Sequence, residues 1–172
     1  MKKLLIVSLL CLSLTACNSG TVSQITTDQS SWVTLNADLL DGGDFSVLTP
    51  SAWTFKQDVG TDSQVGTISG DGITLQFAYG LNTGNPIDET ESGEKLKSQN
   101  EVIDGRPAVI LTPKVTGDGE VAVYFESTQF GYSEDQGTHL LDGDHFLLFG
   151  ENLTAEQEAT ALQIFRSIQF KQ

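Results

Sequence analysis

The two histidines, His139 and His145, are the side chains best suited to acid–base chemistry near neutral pH. If Asp142-Gly143 forms a two-residue turn, the histidines lie on opposite faces of a hairpin and cannot share a reacting atom. A three-residue turn that includes Asp144 would place both on one face. The sequence leaves both registers open. A hydrolase that uses His139 or His145 together with a carboxylate is therefore one hypothesis.

Motifs for other chemistry are absent from the sequence. There is no Gly-x-Ser-x-Gly nucleophile motif, and Ser63 is expected to lie in a loop. Phosphate-binding, dinucleotide-binding and zinc-protease motifs are also missing. Both cysteines, Cys11 and Cys17, lie within the first 17 residues, so the rest of the chain has no thiol nucleophile or thiolate ligand. We expect no catalytic residue, no metal site and no cofactor.

Aspartate and glycine cluster at four places along the chain, 41–44, 71–72, 118–119 and 142–144. Each cluster lies where a hairpin needs a turn, and the spacing does not fit an EF-hand loop. We therefore interpret them as turns rather than calcium sites. Their carboxylates are also the candidate surface for a protein partner: Asp41, Asp44, Asp142 and Asp144.

The chain has 172 residues and a net charge of −14, from nine basic and 23 acidic side chains. This length predicts one domain, and the 38% hydrophobic content is typical of a folded protein. Such an excess of acidic side chains excludes binding to a phosphate backbone. It favours a basic protein partner, which would be attracted electrostatically.

The N-terminus carries the features of a secretion signal, with Lys2 and Lys3 before an apolar run from Leu4 to Leu14. The run ends in Leu14-Thr15-Ala16-Cys17, which resembles the lipobox of bacterial lipoproteins. This resemblance implies that residues 1–16 are removed and that Cys17 receives lipid, which anchors the protein in the membrane. Resemblance to enteric lipoproteins implies that Asn18, in place of an aspartate that would retain the protein in the inner membrane, favours the outer membrane, facing the periplasm. An ordinary secretory signal is the alternative. We expect a flexible tether over 17–31 and one globular domain over 32–172.

Alternating side chains predict a mostly antiparallel α+β fold built from hairpins. The first hairpin joins 64–68 to the strand from Ile73 to Tyr79. The second joins Val109–Val115 to Glu120–Glu126, and Pro113 predicts an edge strand or a bulge there. A third would pair Thr138–Leu141 with His145–Phe149.

The clearest predicted helix begins at Thr154, which forms a capping box with Gln157 three residues later. Its apolar stripe is predicted to comprise Ala155, Ala159, Leu162 and Phe165. Glu158 is expected to face solvent. A further helical stretch is predicted near Glu91–Lys97 within a polar excursion over 85–101, and a short amphipathic helix is compatible with 32–39. The segment after the last helix, 167–170, should return an apolar pair to the sheet.

Three segments resemble Mog1/PsbP/DcrB-like domains. Phe45-Ser46-Val47-Leu48-Thr49-Pro50 followed by Trp53 is similar to their first strand. The segment Ile103-Asp104-Gly105-Arg106-Pro107-Ala108 is similar to the start of their central strands, and the ending at 165–170 is similar to their last helix and strand. Residues 60–66 and 77–80 also resemble uncharacterised envelope proteins with a GxDSxVG motif. The resemblance implies an α/β/α sandwich and a non-catalytic adaptor or assembly role.

These observations favour a lipid-anchored, non-catalytic envelope protein that binds another protein or assists assembly. An immunity-type inhibitor that covers a basic toxin or enzyme is a second hypothesis, because it would use the same acidic surface. The hydrolase that uses His139 or His145 is the third.

Overall fold

A computed structural model describes residues 29–39, 44–58, 60–61, 63–80, 83, 95–117, 119–126 and 145–171. Ten strands and one helix lie in these ranges. In chain order they are β1 (Val33–Ala37), β2 (Phe45–Thr49), β3 (Thr54–Asp58), β4 (Gln64–Gly70), β5 (Ile73–Gly80), β6 (Leu96–Ile103), β7 (Arg106–Pro113), β8 (Val121–Phe125), β9 (His145–Gly150), α1 (Ala155–Arg166) and β10 (Gln169–Phe170).

The strands form two antiparallel sheets. The large sheet has seven strands in the order β3-β4-β5-β9-β8-β7-β6, and the small sheet has the order β1-β2-β10. Helix α1 packs against β8 and β9 of the large sheet and against β2 of the small one. The predicted α+β class, mostly antiparallel with a C-terminal helix, is therefore confirmed. The α/β/α sandwich stays a prediction, because the described residues place a helix on one face of the large sheet only.

The core lies between α1, the small sheet and one face of the large sheet, which we call the inner face. Aromatic rings fill it: Phe45 contacts Phe77 and Phe146 edge to face, at centroid distances of 5.5 and 4.8 Å. Phe125 contacts Phe170 of β10 in the same way at 5.0 Å. Edge-to-face contact is the favoured aromatic geometry, so the small sheet is held to the large one by interlocking rings.

The first two predicted hairpins are present. β4 and β5 join through Asp71 and Gly72, whose φ angles of 52° and 75° suit a tight two-residue turn. β7 and β8 also pair, and their residues share the predicted faces, but Val109 rather than Leu111 lies opposite Tyr124, two residues away from the register that a turn at 116–119 implies.

Of the two alternatives that Pro113 predicts, an edge strand or a bulge, the edge strand is wrong, because β7 lies between β6 and β8. Pairing with β8 is confined to Val109, Ile110 and Leu111. Pro107 and Pro113 flank these three residues. The prolines therefore lie where the ladder to β8 has ended, and a missing N–H breaks no bond there.

The third predicted hairpin is also wrong in its pairing. Thr138–Leu141 lie outside the described residues, but β9 pairs with β5 on one side and with β8 on the other. Residues 146–149 each have a partner on both sides; Phe146, for example, is opposite Tyr79 of β5 and Phe125 of β8. Both edges of β9 are thus occupied by strands distant in the sequence, and no edge is left for a hairpin partner.

One predicted helix is a strand, and a second gives way to a strand at its C-terminal end. Residues 33–37 form β1, which pairs along its whole length with β2. In the helix predicted near Glu91–Lys97, Lys95 is helical, Leu96 and Lys97 begin β6, and 91–94 lie outside the described residues. The predicted polar excursion therefore contains an edge strand. In both cases pairing with a neighbouring strand outweighs weak helical spacing.

Helix α1 begins as predicted, with both hydrogen bonds of the capping box between Thr154 and Gln157. Its buried face, however, consists of Glu158, Ala161, Ile164 and Phe165. Ala155 is exposed, and Leu162 is half-buried at the margin of the core. The helix is therefore rotated from the predicted stripe, and only Phe165 lies at its centre.

Candidate functional site

The outer face of the large sheet, opposite α1, carries an unexpected number of apolar side chains. Register places Val109, Tyr124 and Leu147 side by side on this face, on β7, β8 and β9. Tyr124 is nearly fully buried, and Val109 and Leu147 are half-buried. Val109 and Tyr124 of this row also line a concave surface over β6, β7 and β8.

A groove of about 570 Å³ lies over these three strands. At its open side, Val102 of β6 is 75% exposed, the largest exposure among the sizeable apolar residues that the structure describes as exposed. Small-molecule and peptide sites typically combine an apolar floor with a few polar groups. The residues lining the groove are Asn100, Glu101, Val102, Pro107, Ala108, Val109, Tyr124 and Glu126.

The charge of the groove has one sign. Its lining includes Glu101 and Glu126 and contains no lysine or arginine. Glu101 already pairs with Arg166 of α1, at 2.8 and 3.0 Å, whereas Glu126 is exposed directly after β8. The Glu101 charge is therefore matched by Arg166, and the acidic character of the groove rests on Glu126, which suits a cationic group next to an apolar one.

Tyr124 forms the base of the groove and is fixed by His145. The Tyr124 hydroxyl and His145 Nδ1 are 2.8 Å apart, and the two rings stack with centroids separated by 5.8 Å. This pair holds the phenol ring in place and occupies one imidazole nitrogen. Any proton transfer by His145 would therefore use its other ring nitrogen, Nε2.

The hydrolase hypothesis requires a carboxylate to orient the histidine. His139 lies outside the described residues. Around His145, within the described part of the chain, the recorded hydrogen bond goes to a phenol and not to a carboxylate. The arrangement resembles a packed aromatic pair more closely than a catalytic dyad.

The turn between β6 and β7 is held to β10 on the inner side of the sheet. Arg106 is buried, donates to the backbone oxygen of Asp104 at 2.9 Å, also pairs with its carboxylate, and lies 5.1 Å above the Phe170 ring. The Asp104 carboxylate in turn accepts from the Phe170 N–H at 3.1 Å. Arg106 is therefore committed to holding this hairpin against β10.

The predicted partner surface is described at one of its four positions. Asp41, Asp142 and Asp144 lie outside the described residues. Asp44 is half-buried, and its Oδ1 accepts a hydrogen bond from the Leu39 N–H at 2.6 Å. Asp44 thus joins the end of the segment after β1 to the start of β2, in addition to any role at a surface.

Glu158 was expected to face solvent, but the structure places it in the interior. It lies on the buried face of α1. Its Oε1 accepts a hydrogen bond from the Gly117 N–H at 2.9 Å, which fixes the turn after β7. Burial raises the pKa of the Glu158 carboxyl, and the hydrogen bond from Gly117 opposes that rise. Its position, far from the groove on the inner side, makes it a structural residue.

Two further features concern ions and membranes. Within the described ranges, no three His, Cys, Asp or Glu side chains come together in a way that would hold a metal ion. No helix in the same ranges is long and apolar enough to cross a membrane. Cys17 lies outside them.

Comparison with known proteins gives no match: no protein family, no curated protein and no solved structure is significantly similar to this chain.

The sequence analysis missed the groove because its parts come from strands that are distant in the chain. One signal was present: Asp104-Gly105 between two strand-like segments is a strong hairpin indicator. Applied there, it would have placed β6 beside β7 and Val102 at the edge of the sheet.

Proposed function

We propose that this chain is a lipid-anchored protein of the bacterial envelope, attached through Cys17 at the outer membrane facing the periplasm, and that it acts by binding a basic protein. The anchor rests on the lipobox at 14–17. The binding role rests on the groove, which has an apolar floor and the exposed carboxylate of Glu126 in its lining, while Glu101 is paired with Arg166. The net charge of −14 extends this preference to the whole surface.

The groove is best tested by reversing the charge of Glu126. Glu126→Lys places a cation at the rim, so capture of a basic partner from detergent-solubilised envelope should weaken. Glu156→Lys is the matched control, because Glu156 is exposed on α1 and the change in net charge is identical. Equal loss of the captured protein in both variants would refute the role of the groove.

Ionic strength provides a second test of the same idea. Electrostatic attraction predicts that association slows steeply between about 50 and 500 mM salt, as the screening length falls from roughly 14 to 4 Å. A rate that does not change over this range would remove the charge argument.

Catalysis is tested by removing both imidazoles. His139→Ala combined with His145→Phe leaves a ring at position 145 to stack on Tyr124 while eliminating the imidazole nitrogens. We expect this variant to retain function in whichever cellular assay reveals deletion of the protein. A folded variant that loses function would instead favour the hydrolase.

A further inference from the structure

Strand β6 ends the large sheet and exposes an unusually accessible edge. Five of its eight residues are exposed, and Val102 is 75% exposed. Among the described residues, β7 is its only partner strand. An edge of this length presents unpaired backbone groups that can accept another strand.

The register with β7 determines which backbone groups are free. Asp104 and Gly105, with φ angles of 50° and 73°, form a two-residue turn, and Ile103 is opposite Arg106. In such a hairpin the residues flanking the turn are hydrogen-bonded to each other, and every second pair after them is too. Leu96, Ser98, Asn100 and Val102 therefore direct their N–H and C=O groups to the open edge.

We propose that a second copy of this chain pairs with this edge in antiparallel orientation, about a two-fold axis at Gln99. The sequence of β6 is self-complementary in this register. Leu96 lies opposite Val102 of the second copy, Lys97 opposite Glu101, and Ser98 opposite Asn100. Apolar, oppositely charged and hydrogen-bonding pairs are each favourable across strands.

The same register also gives hydrogen-bond partners to the backbone N–H and C=O groups at the open edge of β6. Leu96, Ser98, Asn100 and Val102 are all even-numbered, so each one meets another member of this set on the second copy. Four pairs can therefore exchange both of their hydrogen bonds. The exposed Val102 gains Leu96 of the second copy as an apolar neighbour.

Neighbouring registers fit less well. An axis at Ser98 places Leu96 opposite Asn100, and an axis at Asn100 places Lys97 opposite Ile103. The strand at the other end of the sheet, β3, fits worst, because antiparallel pairing about its middle residue would set Lys56 beside Lys56. Charge pattern and apolar pattern therefore select β6 and one register.

Charge variants and cross-links test this dimer directly, because no cysteine lies after Cys17. The full chain with Gln99→Cys, purified in mild detergent at about 0.15 M salt, is oxidised and examined for a covalent dimer. At a non-hydrogen-bonded antiparallel pair, the two Cα atoms are about 4.5 Å apart, within reach of a disulfide. We expect most of the Gln99→Cys chain to cross-link above the wild-type background.

Ser98→Cys is the matched control for register. Ser98 is opposite Asn100 in the proposed dimer, so the thiols that this substitution introduces on the two copies would lie on Cα atoms separated by roughly 8–9 Å, beyond disulfide range. Cross-linking should therefore be weak. Equal cross-linking of the two variants, or none above background with Gln99→Cys, would overturn the proposal.

Lys97→Glu tests the charge pairing within the Gln99→Cys chain, kept reduced. It sets two glutamates opposite each other at two places and should raise the dissociation constant about tenfold. Lys56→Glu makes the same change in charge on β3, at the opposite end of the sheet, and should leave the dissociation constant unchanged. Equal effects of the two substitutions would contradict the proposed register.

Discussion

Truncation of Phe165 gives the sharpest test of how α1 docks on the sheets. The Phe165 side chain is completely buried at the centre of the core. Loss of a buried phenylalanine removes about 1.5–3 kcal/mol of transfer free energy, and the cavity left behind increases the total cost of Phe165→Ala to about 3–5 kcal/mol. This is a large part of the roughly 5–15 kcal/mol that stabilises a typical domain.

The free energy of unfolding should be measured by urea denaturation and the midpoint by thermal unfolding. A loss of this size predicts a midpoint lower by roughly 10–20 °C. Glu156→Ala, on the exposed side of the same helix, should change the free energy of unfolding by less than about 0.5 kcal/mol. Similar losses from the two variants would refute the assigned face.

Two further substitutions distinguish the observed buried face of α1 from the face predicted from the sequence. Ile164 is fully buried whereas Leu162 is half-buried. Ile164→Ala should therefore cost about 2–5 kcal/mol and Leu162→Ala clearly less. The reverse order would support the stripe predicted from the sequence and contradict the packing described above.

Three other substitutions have distinct expected outcomes. Burial raises the pKa of Glu158, so the stability that this group contributes is present below about pH 4, the ordinary glutamate range, and is lost as the pH rises through the raised pKa. Glu158→Gln keeps an acceptor for the Gly117 N–H and should therefore be more stable than the wild type at pH 7. Urea denaturation should show this difference in the free energy of unfolding closing in acid. Gly70→Ala should lower the thermal midpoint, because a Cβ there would lie 2.3 Å from the Trp53 ring, and tryptophan fluorescence should report the displaced ring. Asp44→Lys should cost about 1–2 kcal/mol in the same denaturation assay, because it removes the acceptor of a loop N–H.

The sequence predicted best those elements whose signals are local. The β4–β5 hairpin follows from alternation beside an Asp71-Gly72 turn, and the start of α1 follows from Thr154 and Gln157. In each case a few adjacent residues determine the backbone geometry, so no knowledge of distant partners was needed.

The errors occurred where distant partners decide the outcome. β6 has exposed side chains on both faces and therefore lacks the alternation of a half-buried strand. Glu158 was assigned to solvent by its residue type, but the Gly117 N–H, 41 residues away, satisfies it within the fold. The groove has the same origin, since the base at Tyr124 and the rim at Val102 meet only after β7 pairs on both sides.

The central claim of a lipid-anchored binding protein is tested most directly at Cys17, by mass spectrometry of the N-terminal peptide of the chain isolated from bacterial membranes. The proposal predicts a mature chain that begins at Cys17 and carries a diacylglycerol thioether and an acylated amino terminus. A mature chain with an unmodified Cys17, or one that begins at another residue, would contradict it.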